Sequence, residues 1–221
     1  DTIATVQALN NIGTNFRRMG VLDEAVDYHY RALHLGDLFS RRNDKTAMKN
    51  RVVSLNGIGN ISLTLGDTET ADSMFRAALK GEKTLGSHLG QAINYANIGS
   101  VFEKRNMLDS AWACYKQSRQ QNRIADSDLG ISLCYTHFGR PFEKQGRRTE
   151  AIAEYRKAYE IMGTSEDRWH AMEPCLALAE IYIKIGDENT AMTYLATADR
   201  LAHDLHSLEH QAQIAKLYYD I

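Results

Sequence analysis

Proline is nearly missing from this chain: only Pro141 and Pro174 occur in 221 residues. An all-β or loop-rich protein of this length carries several times more, so the scarcity points to helices, as does the wealth of Ala, Leu, Lys, Glu and Arg. Cysteine is sparse too. Cys114, Cys134 and Cys175 are odd in number, widely spaced and free of any CxxC pair. They supply no disulfide framework, and the compartment stays open between cytoplasm and periplasm. No run nears the roughly 18 apolar residues of a membrane span. The opening DTIATVQALNN has neither a basic leader nor an apolar signal core. It also lacks an initiator Met, so the chain reads as an excised or processed piece, the soluble part of a protein that is anchored elsewhere or free. Charge of either sign is balanced, and a formal net charge of −2 gives no general pull toward nucleic acid or direct membrane contact. Hydrophobic content of 43% and charged content of 24% are ordinary for a globular protein with a real core.

What is present is a puzzle in the stretch SLNGIGNISLTLGD, residues 54–67. Gly57 and Gly59 interrupt an apolar, helix-like pattern. Two readings compete: a phosphate-cradling loop, or a helix approached very closely by a neighbour. A phosphate loop needs a preceding strand.

Internal periodicity separates the readings. Counterparts of Gly59 are Gly13, Gly99, Gly139 and Ala179, at spacings of 46, 40, 40 and 40 residues. An apolar residue precedes each: Ile12, Ile58, Ile98, Phe138, Leu178. Apolar or small residues recur three after and four before, which is a helix stripe. Seven residues on come Gly20, Gly66, Asn106, Gly146 and Gly186, the residue types that end a helix in a left-handed turn. Twelve on, all five units have alanine: Ala25, Ala71, Ala111, Ala151, Ala191. Nineteen on come Ala32, Ala78, Ser118, Ala158 and Ala198, completing a second stripe through His29, Phe75, Tyr115, Tyr155 and Leu195. Asp23, Asp109, Thr149 and Asn189 are expected to cap that second helix. Each unit is thus two antiparallel helices whose small residues allow close approach, and the phosphate-loop reading falls away.

This pattern resembles the tetratricopeptide repeat, in a long 40-residue variant of the usual ~34. The resemblance implies an all-α fold: a right-handed α-solenoid of five helical hairpins plus the first helix of a sixth. Units fall at about 1–43, 44–86, 87–126, 127–164 and 165–205, with a partial unit over 206–221, in one domain. It also implies a non-catalytic scaffold that binds a peptide or protein segment in a concave groove lined by the first helices. The long variant is similar to repeats in bacterial signalling proteins that carry a histidine kinase or helix-turn-helix output, and the chain is expected to be the sensor or interaction region of such a protein. The alternative is an intracellular peptide-pheromone receptor.

Groove positions are expected at offsets −3, −2, +1, +4 and +5 from the small residue. Those singled out are Asn10, Asn11, Thr14 and Arg17 in the first unit, Asn56 and Asn60 in the second, and Asn97 and Ser100 in the third. His137, Arg140 and Lys144 follow in the fourth. An Asn amide donates and accepts, so it can pair with a peptide backbone whatever the side chains. His203, His206 and His210 have zinc-like spacing, but the helix is expected to break there, and no metal or other cofactor is expected. The cysteines sit at or beside core positions and read as buried thiols. No nucleophile–base grouping is visible, so no enzyme activity is expected. Pro141 is expected to kink its helix, and Pro174 either to do the same or to mark a later start. The chain stops within the sixth unit, and Ile214, Leu217, Tyr218 and Ile221 are expected to leave a sticky face that favours self-association through the C-terminal helix.

Overall fold

Alanine-rich stripes at helical spacing give helices throughout. The computed structural model describes residues 2–39, 44–163 and 168–221. Eleven helices and no strand occur among them: α1 (Thr2–Arg18), α2 (Leu22–Phe39), α3 (Lys45–Leu65), α4 (Thr68–Leu85), α5 (His88–Lys104), α6 (Leu108–Ile124), α7 (Asp128–Lys144), α8 (Arg148–Gly163), α9 (Arg168–Ile185), α10 (Glu188–Asp204) and α11 (Leu208–Tyr219). They form two compact units, Asp1–Ala125 and Asp126–Ile221. In the first, α1/α2, α3/α4 and α5/α6 are hairpins, α2 packs on α3, α4 packs on α5, and α3 lies beside both α1 and α5. In the second, α7/α8 and α9/α10 are hairpins, α8 packs on α9, α7 lies beside α9, and α11 packs on α10.

The turn inside each hairpin is made as the spacing predicts. Gly20, Gly66, Asn106, Gly146 and Gly186 all have φ between 58° and 90°. At Gly66 its own N–H bonds to Leu63 O while Asp67 N–H bonds to Ser62 O, which closes the orphan carbonyls of α3. The caps differ from expectation. Asp187, not Asn189, caps α10 by accepting from Thr190 N–H, and Asp67 does the same for α4. Met107 occupies the cap of α6 without a side-chain bond, so Asp109 lies in the first turn of that helix, and Asp23 and Thr149 likewise fall inside α2 and α8. The left-handed residue is followed directly by the cap, which leaves the predicted positions two residues late. A second turn lies between hairpins: Gly86, Asp126 and His206 take positive φ, each followed by a serine at the start of the next helix. Ser87 and Ser127 accept from Gly90 and Gly130 N–H. His206 is thus a turn residue, His203 ends α10 and His210 belongs to α11, so the three imidazoles do not share one helix face.

All five +12 alanines are fully buried, and their +19 partners are buried with them. The small residue at the origin of each unit is needed for a specific reason. A Cβ placed on Gly59 would lie 2.6 Å from the Phe75 ring, on Gly99 2.3 Å from Tyr115, and on Gly139 2.2 Å from Tyr155. The residue sixteen positions on therefore rests directly on the backbone of the facing helix. In the fifth hairpin the trade is reversed: Ala179 adds a methyl and Leu195 replaces the ring, and both are fully buried in one cluster. Gly57 answers the remaining question. It receives the preceding hairpin's ring, because a Cβ there would lie 2.4 Å from His29 Nε2.

Both prolines lie inside continuous helices. α7 runs through Pro141, and α9 already begins at Arg168, so Pro174 marks no later start. Cys134 and Cys175 are buried and Cys114 half-buried, all with free thiols. At the C-terminus Ile214 is buried against Met172, Cys175 and Leu201, with Leu217 packed beside it. The covered side of α11 is thus supplied by α9 and α10, while Tyr218, Tyr219 and Ile221 remain exposed.

Gly99→Ala is expected to lower stability by roughly 1–3 kcal/mol through overpacking against Tyr115. Gly36→Ala, where a Cβ meets only Val6 at an ordinary 3.9 Å, is expected to raise it by about 0.5–1 kcal/mol. Urea denaturation of both variants checks the signs. Equal shifts would mean that glycine's flexibility, not the seated ring, decides the position.

Candidate functional site

The first helices carry the predicted stripe, but its rows differ in depth. At offset −3, Asn10 and Thr136 are buried and Asn56 half-buried. Asn10 is therefore not a groove residue. Its Nδ2 donates to Asn50 O at 3.1 Å, and its Oδ1 accepts from Ser54 Oγ at 2.9 Å and meets His29 Nδ1 at 3.0 Å. The amide that was expected to read a peptide backbone is spent pinning α1 to α2 and α3. The reason is geometric: at Asn10 the −3 side chain turns toward α2 and α3. Asn11 and Arg17 are exposed, and Thr14, Asn60, Asn97 and Ser100 are half-buried. Since α3 lies beside both α1 and α5, Thr14, Asn60 and Ser100 succeed one another at offset +1. Ser100 Oγ turns back to Ala96 O at 3.2 Å.

The +4 row shows a pairing that the sequence reading missed. Tyr115 OH donates to Glu103 Oε2 at 2.8 Å, and Tyr155 OH donates to Glu143 Oε2 at 2.9 Å. Each joins the +16 ring of a hairpin to its own +4 residue. In the other hairpins the same two offsets hold Phe75 with Leu63, Leu195 with Ile183, and His29 with Arg17. Where the ring bears a hydroxyl, +4 is a carboxylate; where the +16 residue is apolar, +4 is apolar. The match is readable in the sequence once offsets +4 and +16 are compared. The +5 lysines then reach back to the previous hairpin: Lys104 Nζ donates to Leu63 O at 3.0 Å, and Lys184 Nζ bonds Glu143.

The second unit holds a cleft of about 400 Å³ built from α7, α9 and α11. Thr136, Arg140 and Glu143 line it from α7, and Leu176, Ala177 and Glu180 from α9, all at the predicted groove offsets. Arg140 is held by Glu173, and Gln213 Nε2 donates to Glu180 Oε1 at 3.2 Å. His137 is half-buried and is not part of the lining, and Lys144 is exposed in the last turn of α7. Thus of the three residues singled out on α7 Arg140 faces the cleft, together with Thr136, Glu143 and Glu180, which the groove offsets include.

Burial dominates the electrostatics. Desolvation, then the positive charge of Arg17, pushes the His29 imidazole down to about 4. Desolvation, then Arg140, pushes His137 down to about 3. Burial raises the Cys175 thiol to about 12 and raises Cys114 as well, so neither is a ready nucleophile. Ser207 Oγ meets His210 Nδ1 at 2.7 Å, but Ser207 is the N-cap of α11 and His210 lies three residues on, so the contact is local to the first turn of that helix. Among the described residues no group of three His, Cys, Asp or Glu side chains could hold a metal ion. None of the described helices is long and apolar enough to cross a membrane.

Tetratricopeptide-repeat family models match residues 5–36 and 173–204. No curated protein matches the chain by sequence. Among solved structures it is similar to a Rap protein complexed with Competence and Sporulation Factor, with a TM-score of 0.83 and 13% identity over 95% of this chain and 57% of that one. A Rap conjugation gene regulator of the plasmid pLS20, in complex with the Phr* peptide, gives a TM-score of 0.82 and 15% identity over 94% of this chain and 56% of that one. A thermophilic tetratricopeptide-repeat protein of Thermus thermophilus gives 0.70 and 19% identity over 97% and 99%. The chain therefore spans little more than half the length of either Rap protein.

The two depressed imidazoles make stability depend on pH. In the unfolded chain both protonate near 6.5, while in the folded chain protonation waits until about 4 at His29 and about 3 at His137. Stability present above pH 6.5 is lost as pH falls through that window toward those values. Between about pH 7 and pH 5 the loss is expected to be on the order of 1–2 kcal/mol per histidine, read as a falling urea midpoint. His29→Gln is expected to flatten part of that slope; an unchanged slope would mean that His29 takes up its proton as readily in the folded chain as in the unfolded one.

Proposed function

With tetratricopeptide repeats as the premise, we propose that this chain is a non-catalytic scaffold that binds a peptide or protein segment along the inner face of its first helices. The observation that carries the reading is the cleft of the second unit, where Thr136, Arg140 and Glu143 of α7 and Leu176, Ala177 and Glu180 of α9 fall on the repeat's groove offsets. In repeat proteins each unit contacts only its neighbours, and the row left over by packing is the row free to bind. On the first unit the matching surface is polar and amide-rich: Asn11, Thr14 and Arg17 on α1, Asn56 and Asn60 on α3, Asn97 and Ser100 on α5. Amides and hydroxyls on one face suit the backbone of an extended segment.

At the finer level, the chain is proposed to be the sensor or interaction region of a larger bacterial signalling protein. A second reading, an intracellular receptor for a peptide pheromone, is favoured by the likeness to two Rap structures that are complexes with Competence and Sporulation Factor and with the Phr* peptide. Both readings require a peptide ligand; they differ in what is joined to the repeats.

The test is binding of immobilised random peptides to the folded chain, with Asn60→Ala, Asn97→Ala and Arg140→Ala compared. All three positions are half-buried and outside the core, so the variants are expected to lose no more than about 1 kcal/mol of stability while losing peptide binding by several-fold. Unchanged binding in all three variants would remove this face from the interaction.

A further inference from the structure

The cleft of the second unit is more specific than a generic groove. Three carboxylates, Glu143, Glu173 and Glu180, line it against one guanidinium, Arg140. Two of the three are already engaged: Glu173 holds Arg140, and Glu143 accepts the Tyr155 hydroxyl and the Lys184 ammonium. Glu180 is different. Its carboxylate meets the neutral amide of Gln213 at 3.2 Å, and it pairs with no cation among the described residues. The remaining negative charge in the cleft is therefore localised on α9.

A second, independent feature lies on α7. Thr136 is buried, lines the same cleft, and its Oγ1 has no hydrogen-bond partner among the described residues. Four helical threonines elsewhere spend the hydroxyl on the carbonyl four residues back: Thr64 on Asn60 O, Thr84 on Lys80 O, Thr193 on Asn189 O and Thr197 on Thr193 O. Thr136 departs from that habit, and a buried polar group left unpaired is unfavourable until something bonds it. Leu176 and Ala177 add apolar surface from α9.

We infer that this cleft takes a basic side chain, lysine or arginine, of a bound peptide segment. The inference rests on the peptide-binding reading above and names the residue type that the site selects. The aliphatic stem lies along Leu176 and Ala177, as long cationic side chains do on apolar surface. Its charged head meets Glu180 in a charge-assisted hydrogen bond. The segment's backbone supplies the partner that Thr136 Oγ1 lacks. A cleft of about 400 Å³ holds a side chain and the backbone beside it, at the small end of ligand sites. An acidic or C-terminal carboxylate segment is disfavoured, because Arg140 is already neutralised by Glu173.

The experiment uses three capped pentapeptide mixtures, with lysine, glutamine or glutamate fixed at the centre, and fluorescence polarisation with the whole chain. The lysine mixture is expected to bind best, and to weaken as salt is raised. Glu180→Gln is expected to weaken it about tenfold, the scale of one lost charge-assisted bond. Thr136→Val is expected to weaken all mixtures by a few-fold, without removing the lysine preference; the Glu180 variant, on a half-buried position, carries the test even where the Thr136 variant fails to fold. Equal binding of the three mixtures, or unchanged affinity in Glu180→Gln, overturns the basic-residue inference and leaves peptide binding standing. Binding by none of the mixtures overturns the peptide reading and this inference with it.

Discussion

Each helical hairpin in this chain is closed by one contact, a side chain seated on the facing helix at its small residue. Phe75 on Gly59, Tyr115 on Gly99 and Tyr155 on Gly139 leave no room for even a methyl group. The contact fixes how near the two helices come, and with it which rows of the first helix are consumed by packing. Alanines at +12 and +19 continue the close approach along the second helix. Where the ring is lost, in the fifth hairpin, Leu195 and Ala179 restore the lost volume from both sides, which is how a tightly packed interior tolerates change.

The same contact sets polar demands. A tyrosine hydroxyl carried into the interface needs an acceptor, and Glu103 and Glu143 provide one from the +4 position. Phenylalanine needs none, and Leu63 stands there instead. His29 is the most demanding of the set: its Nδ1 is met by Asn10, whose amide is held in turn by Ser54 and Asn50, and its ring fills the space above Gly57. Buried polar groups of this kind favour one arrangement of the helices over slipped alternatives.

The fold was legible because its strictest requirements fall on residue types with few substitutes. A left-handed turn accepts Gly or Asn, and all five such positions were found by spacing alone. The turns between hairpins use Gly86, Asp126 and His206; two of these are polar residues rather than glycine, and at His206 the expected break in the helix, not the residue type, was the signal. The caps were misplaced because Asp67 and Asp187 directly follow a glycine that belongs to the turn. The site was less legible. Asn10 shares residue type and offset with an expected groove position, yet its side chain points to His29 and Ser54; offset alone does not distinguish a row that faces solvent from one that faces the next helix. Glu143 and Glu180 fall on groove offsets of successive units, but that they line one cleft follows only from the packing of α9 beside α7.

Labour is divided on each hairpin: the second helix packs, with buried first-helix residues such as Asn10, and the proposed binding face lies along the first helix. Hydrogen exchange of the chain with and without the lysine-centred peptide mixture tests that division most directly. The account predicts added protection in α7 and α9, around Thr136–Glu143 and Leu176–Glu180, with the amides of α8 and α10 unchanged. Protection concentrated on the outer helices α8 and α10, with α7 and α9 unaltered, would contradict it.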